Sequence, residues 1–110
     1  MPRYVPCRGD IVWLNFNPQA GHEQAGKRPA IVLSPKEYNA KTSLIIACPI
    51  TSKIKSYPFE VRVVGKKMDG VILSDQVKSL DWKVRNARLI EQAAAKVLSE
   101  VQEKLLLLIQ

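Results

Sequence analysis

Short β-branched runs, each followed by a proline or a turn, are the feature that most limits how this chain can fold. Three lie in the first half of the chain: Ile11–Phe16, Pro29–Ser34 and Leu44–Cys48. Pro18, Pro35 and Pro49 follow them, and proline cannot donate to a sheet ladder and restricts the residue before it. We therefore predict three short strands. The second is apolar throughout, which indicates burial on both faces, and residues 36–42 are expected to form a polar connection.

The second half continues the same pattern. Pro58–Val64 alternates apolar and charged residues, which indicates a strand with one wet face. A turn over 65–69, with Asp69-Gly70 as its tight element, should lead to a partner strand over Val71–Val77. Residues 78–83 are expected to be a connector or a single helical turn. A last strand is expected over Val84–Ile90.

From about residue 91 the apolar spacing changes to three and four, which predicts an amphipathic helix over about 94–109. The residues with this spacing are Ala94, Val97, Leu98, Val101, Leu105 and Leu108. Strands followed by one helix, without βαβ alternation, predict a mostly β fold: a small antiparallel barrel over about 4–92 within a single domain, 1–110. Leu105–Ile109 is apolar nearly all round, so a second subunit is expected to cover part of it, giving a homodimer.

Charge and location follow from composition. Residues 1–90 carry 15 Lys and Arg against 7 Asp and Glu, whereas 91–110 carry 2 against 3, so the positive field belongs to the barrel. Such a field favours a polyanionic partner, either nucleic acid or an acidic protein segment. Cys7 and Cys48 are isolated, and no apolar export segment or membrane span is evident. We expect a cytoplasmic protein with reduced thiols and no membrane partner.

The loop Gly21–Pro29 concentrates the candidate chemistry. It holds Glu23, Arg28 and the only histidine, His22, and runs into a predicted strand. One histidine and two separate cysteines do not make a ligand set, so no metal or other cofactor is expected. Arg28 and Thr51 in a basic chain suit electrostatic catalysis on a phosphodiester. RNA carries its own 2′-hydroxyl nucleophile, so such an enzyme need only stabilise charge and move protons, the latter through Glu23 or His22.

Several motifs occur in an order that resembles the MazF/PemK family of toxin endoribonucleases. They are Gly9-Asp10-Ile11-Val12-Trp13, Glu23-Gln24-Ala25-Gly26-Lys27-Arg28-Pro29-Ala30, Pro49-Ile50-Thr51-Ser52, Tyr57-Pro58-Phe59-Glu60-Val61, Asp69-Gly70-Val71 and Asp75-Gln76-Val77-Lys78-Ser79. The resemblance covers almost the whole chain, most specifically residues 4–82. It implies a homodimeric SH3-like barrel that cleaves single-stranded RNA at short sequences without metal. The products would be a 2′,3′-cyclic phosphate and a 5′-hydroxyl, with inhibition of translation and growth.

The resemblance also implies roles for particular residues and a partner. The functional arginine falls on Arg28, the strand-end threonine on Thr51 and the glutamate on Glu23. The Kid branch uses a histidine and an aspartate that fall on His22 and Asp75, but Leu73 stands where that branch has an arginine. The implied partner is a cognate MazE-like antitoxin whose acidic tail occupies the RNA groove. From charge and position, further RNA contacts are predicted at Phe16, Lys27, Lys53, Lys55, Gln76 and Lys78.

Two other functions remain open at the level of sequence. A gyrase poison of the related CcdB type would bind a protein and leave RNA whole. A noncatalytic RNA-binding barrel would bind RNA without cleaving it. Arg28 and Thr51 favour the endoribonuclease over both, and the division of acid and base roles between Glu23 and His22 stays open.

Overall fold

The strands form one curled antiparallel sheet that is followed by a helix. In the computed structural model, which describes residues 4–16 and 26–110, the elements are β1 (Asp10–Asn15), β2 (Lys27–Val32), α1 (Lys36–Thr42), β3 (Leu44–Thr51), β4 (Glu60–Val64), β5 (Asp69–Leu73), β6 (Lys78–Asp81), β7 (Arg88–Gln92) and α2 (Ala95–Ile109). The strand order is β4-β5-β3-β2-β1-β7, and β6 pairs with β3. Every one of these pairings is antiparallel. The predicted mostly β barrel with a C-terminal helix is confirmed.

Hydrophobic residues cover both faces of the central strands. On one face Ile11, Ile31 and Cys48 belong to a cluster that α2 covers through Val97, Leu98, Val101 and Leu105. On the other face Val12, Val32 and Ile45 pack with Trp82. Burial on both faces, which was predicted for the second strand, holds for its inner half, Ala30–Val32, whereas Lys27 and Arg28 at its outer end are exposed. Strand β2 is therefore buried at its inner end and exposed to solvent at its outer end.

The connection predicted over 36–42 is wrong, because these residues form helix α1. Its buried residue is Asn39, whose side-chain Nδ2 donates to the carbonyl oxygens of Pro6 (2.8 Å) and Ser34 (3.1 Å). The Ser34 hydroxyl donates to Asn39 Oδ1 (2.6 Å), and Trp82 Nε1 donates to the Asn39 carbonyl oxygen (2.8 Å). A helix anchored through a polar residue has no apolar stripe, so the sequence pattern did not reveal it.

The second half departs from the predicted boundaries in several places. The strand predicted from Pro58 begins at Glu60, and the strand predicted to reach Val77 ends at Leu73. Residues 78–81, expected as a connector or helical turn, form β6 because they pair with β3 from Leu44 to Ala47. The turn between β4 and β5 lies at 65–68, and Asp69-Gly70, expected as its tight element, belongs to β5. The last strand is Arg88–Gln92 rather than Val84–Ile90. Tertiary pairing, which a local pattern does not contain, decides each of these boundaries.

Helix α2 begins and ends within one residue of the prediction. Val101 is fully buried, while Leu106, Leu107, Leu108 and Ile109 are about half exposed or more. The sheet thus covers one stripe of the helix and leaves its last turn uncovered. Cys7 and Cys48 are both free thiols. Among the described residues, no helix is long and apolar enough to cross a membrane.

Candidate functional site

The candidate site lies where β2 and β3 separate. The two strands pair from Val32 with Ala47 to Ala30 with Pro49, and two residues further along each strand stand Arg28 and Thr51. The β2–β3 ladder ends at the pair Ala30–Pro49, while on the other edge of β3 Thr51 pairs with Val71 of β5. Pro49 was predicted to end the strand, which is wrong, since β3 continues through it to Thr51. Arg28 and Thr51 therefore stand just beyond the last β2–β3 pair, and both line one opening.

Thr51 is held by its own turn and by the strand beside it. The backbone N–H of Lys53 donates to Thr51 Oγ1 (3.1 Å), so the hydroxyl proton remains available for another acceptor. Gly70 on β5 lies against the Thr51 backbone, and a Cβ added to Gly70 would stand 2.6 Å from the Thr51 carbonyl oxygen. Thr51 is therefore a fixed hydroxyl donor.

Arg28 is presented by β2 at the base of the loop that carries the predicted proton-transfer residues. It is exposed and lies opposite Leu14 of β1. The loop's two ends are joined by the Phe16 N–H, which donates to the Gly26 carbonyl oxygen (3.0 Å). His22 and Glu23 lie outside the described residues, so their placement stays a prediction. The strand pairing fixes the backbone of Arg28 and leaves its guanidinium in solvent.

The opening between the strands widens into a groove of about 930 Å³. It is lined by Arg28 and Thr51 and by all six residues predicted as RNA contacts: Phe16, Lys27, Lys53, Lys55, Gln76 and Lys78. The structure thus brings together every predicted site residue that it describes except Asp75, which is exposed and is not part of the groove lining.

The groove has a strongly positive lining. Five basic side chains line it, those of Lys27, Arg28, Lys53, Lys55 and Lys78, against the acids Glu60 and Asp69. Both acids are already engaged. Glu60 accepts the backbone N–H groups of Lys55 (3.0 Å) and Ser56 (2.9 Å), and Asp69 lies 3.0 Å from the Arg62 guanidinium. A groove with this balance binds an extended polyanion and can neutralise charge that develops on a phosphate.

Asp75 reaches the groove through another residue. The Tyr57 hydroxyl donates to Asp75 Oδ1 (2.7 Å), and Tyr57 lines the groove. This hydrogen bond to the carboxylate is the main cause that raises the pKa of Tyr57 to about 12. The phenol is therefore neutral at physiological pH. One oxygen of Asp75 is occupied by it.

The groove residues that sequence reasoning did not single out include Trp13, Tyr57 and Glu60. Tyr57 and Glu60 lie within a quoted motif, but their partners are distant in sequence or are backbone groups, so no spacing signals them. Cys48 also lines the groove, and burial, the largest cause, raises the pKa of its thiol to about 12. Its thiol is protonated at neutral pH, so it does not supply a thiolate nucleophile.

In the groove, the groups that remain available to a ligand thus include arginine, lysine and hydroxyl groups. Within residues 4–16 and 26–110, no three His, Cys, Asp or Glu side chains are grouped in a way that could hold a metal ion.

The chain is similar to several known proteins in sequence and in fold. The chain is 48% identical to the endoribonuclease toxin MazF of Escherichia coli K12 over 107 residues, covering 97% of this chain and 96% of that protein. It is 31% identical to the Escherichia coli endoribonuclease PemK, covering 89% and 77%. The crystal structure of MazF from Deinococcus radiodurans has a TM-score of 0.86 at 54% identity, covering 97% of this chain and 98% of that one. A MazE-MazF structure from the same organism has a TM-score of 0.87 at 47% identity, covering 97% of each.

Residues 7–109 match the family described as the PemK-like, MazF-like toxin of type II toxin-antitoxin systems. The match spans the groove, both of its flanking strands and the C-terminal helix. The chain belongs to the PemK/MazF toxin family.

Proposed function

We propose that this protein is a toxin endoribonuclease that cleaves single-stranded RNA at a short specific sequence without metal. The 2′-hydroxyl of the RNA attacks the adjacent phosphate, giving a 2′,3′-cyclic phosphate and a 5′-hydroxyl. The observation that carries the proposal is that Arg28 and Thr51, each just beyond the last β2–β3 pair, line the same basic groove. The names of the two relatives, both endoribonucleases at 31–48% identity, support it.

The mechanism divides three tasks among the predicted site residues: stabilising the transition state, holding the neighbouring phosphates and transferring protons. Arg28 offers a planar fork of donors to the phosphate oxygens, and Thr51 adds a fixed hydroxyl donor, so both stabilise the charge of the pentavalent transition state. Lys53, Lys55 and Lys78 hold the neighbouring phosphates. Glu23 and His22 take and return the protons, since a carboxylate and an imidazole suit this exchange near neutral pH.

The test is cleavage of a long single-stranded RNA in EDTA. Thr51→Ala should lower the rate about 10²-fold or more, the usual cost of losing one fixed transition-state donor. Arg28→Ala should lose at least as much, because arginine also carries the charge. Arg88→Ala and Thr42→Ala, which remove the same groups outside the groove lining, should cut RNA normally.

Undiminished cutting by both groove variants would refute the mechanism. Intact RNA together with trapped gyrase-DNA breaks would support a gyrase poison instead, and binding without cleavage would support a noncatalytic barrel. Glu23→Gln and His22→Ala should each lose one limb of the pH-rate profile, which assigns the base and the acid.

We further propose that the protein acts in the cytoplasm as a homodimer and is restrained by a MazE-like antitoxin. The solved relatives include complexes titled MazE-MazF. The lining of five basic side chains complements an acidic peptide as well as RNA. An acidic antitoxin tail should therefore compete with RNA for the groove, and the competition should weaken as salt rises. Inhibition that leaves RNA binding unchanged would place the antitoxin elsewhere.

A further inference from the structure

Tyr57, like Trp13, is an aromatic residue of the groove to which the proposed mechanism gives no task. It lies in the segment 52–59, between the end of β3 and the start of β4, and lines the groove with Thr51, Lys53 and Lys55. Its ring is partly buried. A ring that lines the groove beside these lysines is within reach of a ligand that they bind.

The segment around Tyr57 is fixed by hydrogen bonds although it contains no helix or strand. Glu60 accepts the N–H groups of Lys55 and Ser56, and its own N–H donates to the Tyr57 carbonyl oxygen (3.1 Å). Lys104 of α2 donates from Nζ to the Pro58 carbonyl oxygen (2.7 Å). The backbone on both sides of Tyr57 is thereby tied to β4 and α2.

The far end of the ring is fixed as well. The Tyr57 hydroxyl donates to Asp75 Oδ1 at 2.7 Å, and Asp75 lies two residues beyond the end of β5. A side chain held at both ends loses little conformational freedom when a ligand binds to it. The ring therefore forms a preorganised surface.

A preorganised aromatic ring among lysines matches the two parts of a nucleotide. Lysines attract phosphates, and the bases of single-stranded nucleic acid stack on aromatic side chains. The neutral phenol adds no negative charge beside the phosphates. The Asp75 carboxylate, which would repel them, is turned to the hydroxyl of the tyrosine.

We propose that Tyr57 binds one RNA base by stacking, and that Asp75 is a positioning residue that acts through the Tyr57 hydroxyl. This inference rests on the proposed function, which supplies single-stranded RNA as the ligand. It gives Asp75 a different task from the direct catalysis that the resemblance to the Kid branch implies.

The test measures affinity separately from chemistry. The probe is a 2′-O-methylated single-stranded RNA that contains a mapped cut site; it has no free 2′-hydroxyl there and so is not cut. Tyr57→Leu should weaken its binding about 5- to 150-fold, the usual range for losing one base-aromatic stack. A 2-aminopurine placed at one position of the probe should be quenched by the wild type and not by Tyr57→Leu. Tyr38→Leu, which changes an exposed tyrosine of α1 outside the groove lining, is the matched control.

For Asp75→Ala we predict a change in RNA affinity that is opposite to the one expected from charge alone. Removing a carboxylate beside a polyanion should strengthen binding on charge alone. We instead expect Asp75→Ala to weaken it a few-fold, because the ring is released, and Asp75→Asn to restore it, because the amide oxygen still accepts from Tyr57. Tyr57→Phe should resemble Asp75→Ala, and the double variant should be no weaker than either, since both remove the same hydrogen bond.

Two results would overturn the inference. One is normal probe binding by Tyr57→Leu in a protein whose wild type cuts RNA. The other is an Asp75→Ala variant that binds the probe normally but has a lower single-turnover rate at saturating RNA, which would make Asp75 a catalytic residue. If Tyr57→Leu fails to fold by thermal melting, the Tyr57→Phe and Asp75 variants decide. Failure of the proposed function appears separately, as RNA that the wild type leaves intact.

Discussion

Arg28 and Thr51 are held to different degrees. Thr51 is enclosed by its own turn with Lys53 and by Gly70 on β5. Arg28 has a fixed backbone and an exposed side chain at the outer end of β2. A fixed hydroxyl suits a single directed hydrogen bond, whereas an exposed guanidinium on a long side chain can follow the phosphate as its charge develops. The close packing behind Thr51 therefore contributes to the activity that we propose.

Gly70→Ala tests this packing. The added methyl would stand 2.6 Å from the Thr51 carbonyl oxygen and 3.3 Å from Ile50 Cγ2, so the Thr51 backbone must move. We expect a loss of about 1–3 kcal/mol in the free energy of unfolding, typical of overpacking, and a fall in cleavage beyond the loss of folded protein. Denaturant unfolding and single-turnover cleavage measure the two effects. Gly26→Ala is the stability control, since its methyl meets no atom of the described residues within 4 Å, and equal stability of the two variants would contradict the packing.

Glu91 stabilises the turn between β4 and β5. Its carboxylate accepts the backbone N–H groups of Lys66 (3.1 Å), Lys67 (2.9 Å) and Met68 (2.8 Å), and these bonds, led by that of Lys67, lower the pKa of Glu91 below its ordinary value of 4.5. A lowered folded-state pKa gives stability that is full above pH 4.5 and is lost as the pH falls through the folded value. Glu91→Gln should therefore lower Tm by a few degrees at pH 7 and by less at pH 3. A difference that grows in acid would contradict this assignment.

At the scale of elements, the end of the β2–β3 ladder at the pair Ala30–Pro49 positions the groove. The sequence predicts the strands and the residues at their ends, because β-branched runs and prolines are local signals. It does not predict that Thr51 pairs with β5 on the other edge of β3, since partner choice depends on distant residues. The sequence therefore predicts Arg28, Thr51 and the lysines as candidates, whereas it does not predict Tyr57 and Glu60, whose contacts depend on hydrogen bonds within the fold.

Arg85 holds Asn15 and Phe16, the residues from which the chain enters the predicted loop; we call these two residues the stem and their contacts with Arg85 the clamp. Arg85 donates from Nη1 to the Asn15 carbonyl oxygen (3.1 Å), accepts the Asn15 N–H at its own carbonyl (2.9 Å), and places its guanidinium carbon 4.8 Å from the centre of the Phe16 ring. A cation-π contact contributes about 0.5–1 kcal/mol and a hydrogen bond about 1 kcal/mol. The clamp therefore orders the end of β1 that carries the loop.

Arg85→Ala should release this stem. We expect a loss of cleavage of about 10- to 30-fold, because the cation-π contact and the side-chain hydrogen bond together contribute about 1.5–2 kcal/mol and 1.4 kcal/mol equals a factor of ten. Arg88→Ala removes the same charge from β7 and is the control. An equal loss in both variants would show that the positive charge, and not the clamp, is responsible.

At the scale of the whole molecule, the basic groove and the uncovered helix end are separate features. The groove lies where β2 and β3 part, and the last turn of α2 carries exposed Leu107 (71%) and Ile109 (66%). None of the groove-lining residues belongs to α2. One surface can therefore bind RNA while the other associates with a second copy.

The homodimer can be tested through that helix end. Single exposed apolar residues are ordinary on a protein surface, but four in one turn of a helix are typical of an interface.

Light scattering at micromolar concentration should give about twice the chain mass of 12.4 kDa. Leu107→Glu with Ile109→Glu should shift the mass toward the monomer, because association would bury two charges without partners. Val84→Glu, at a site 78% exposed outside the helix, should leave the dimer intact. A wild type that is monomeric at this concentration would refute the homodimer, and a dimer that survives the double substitution would move its interface away from α2.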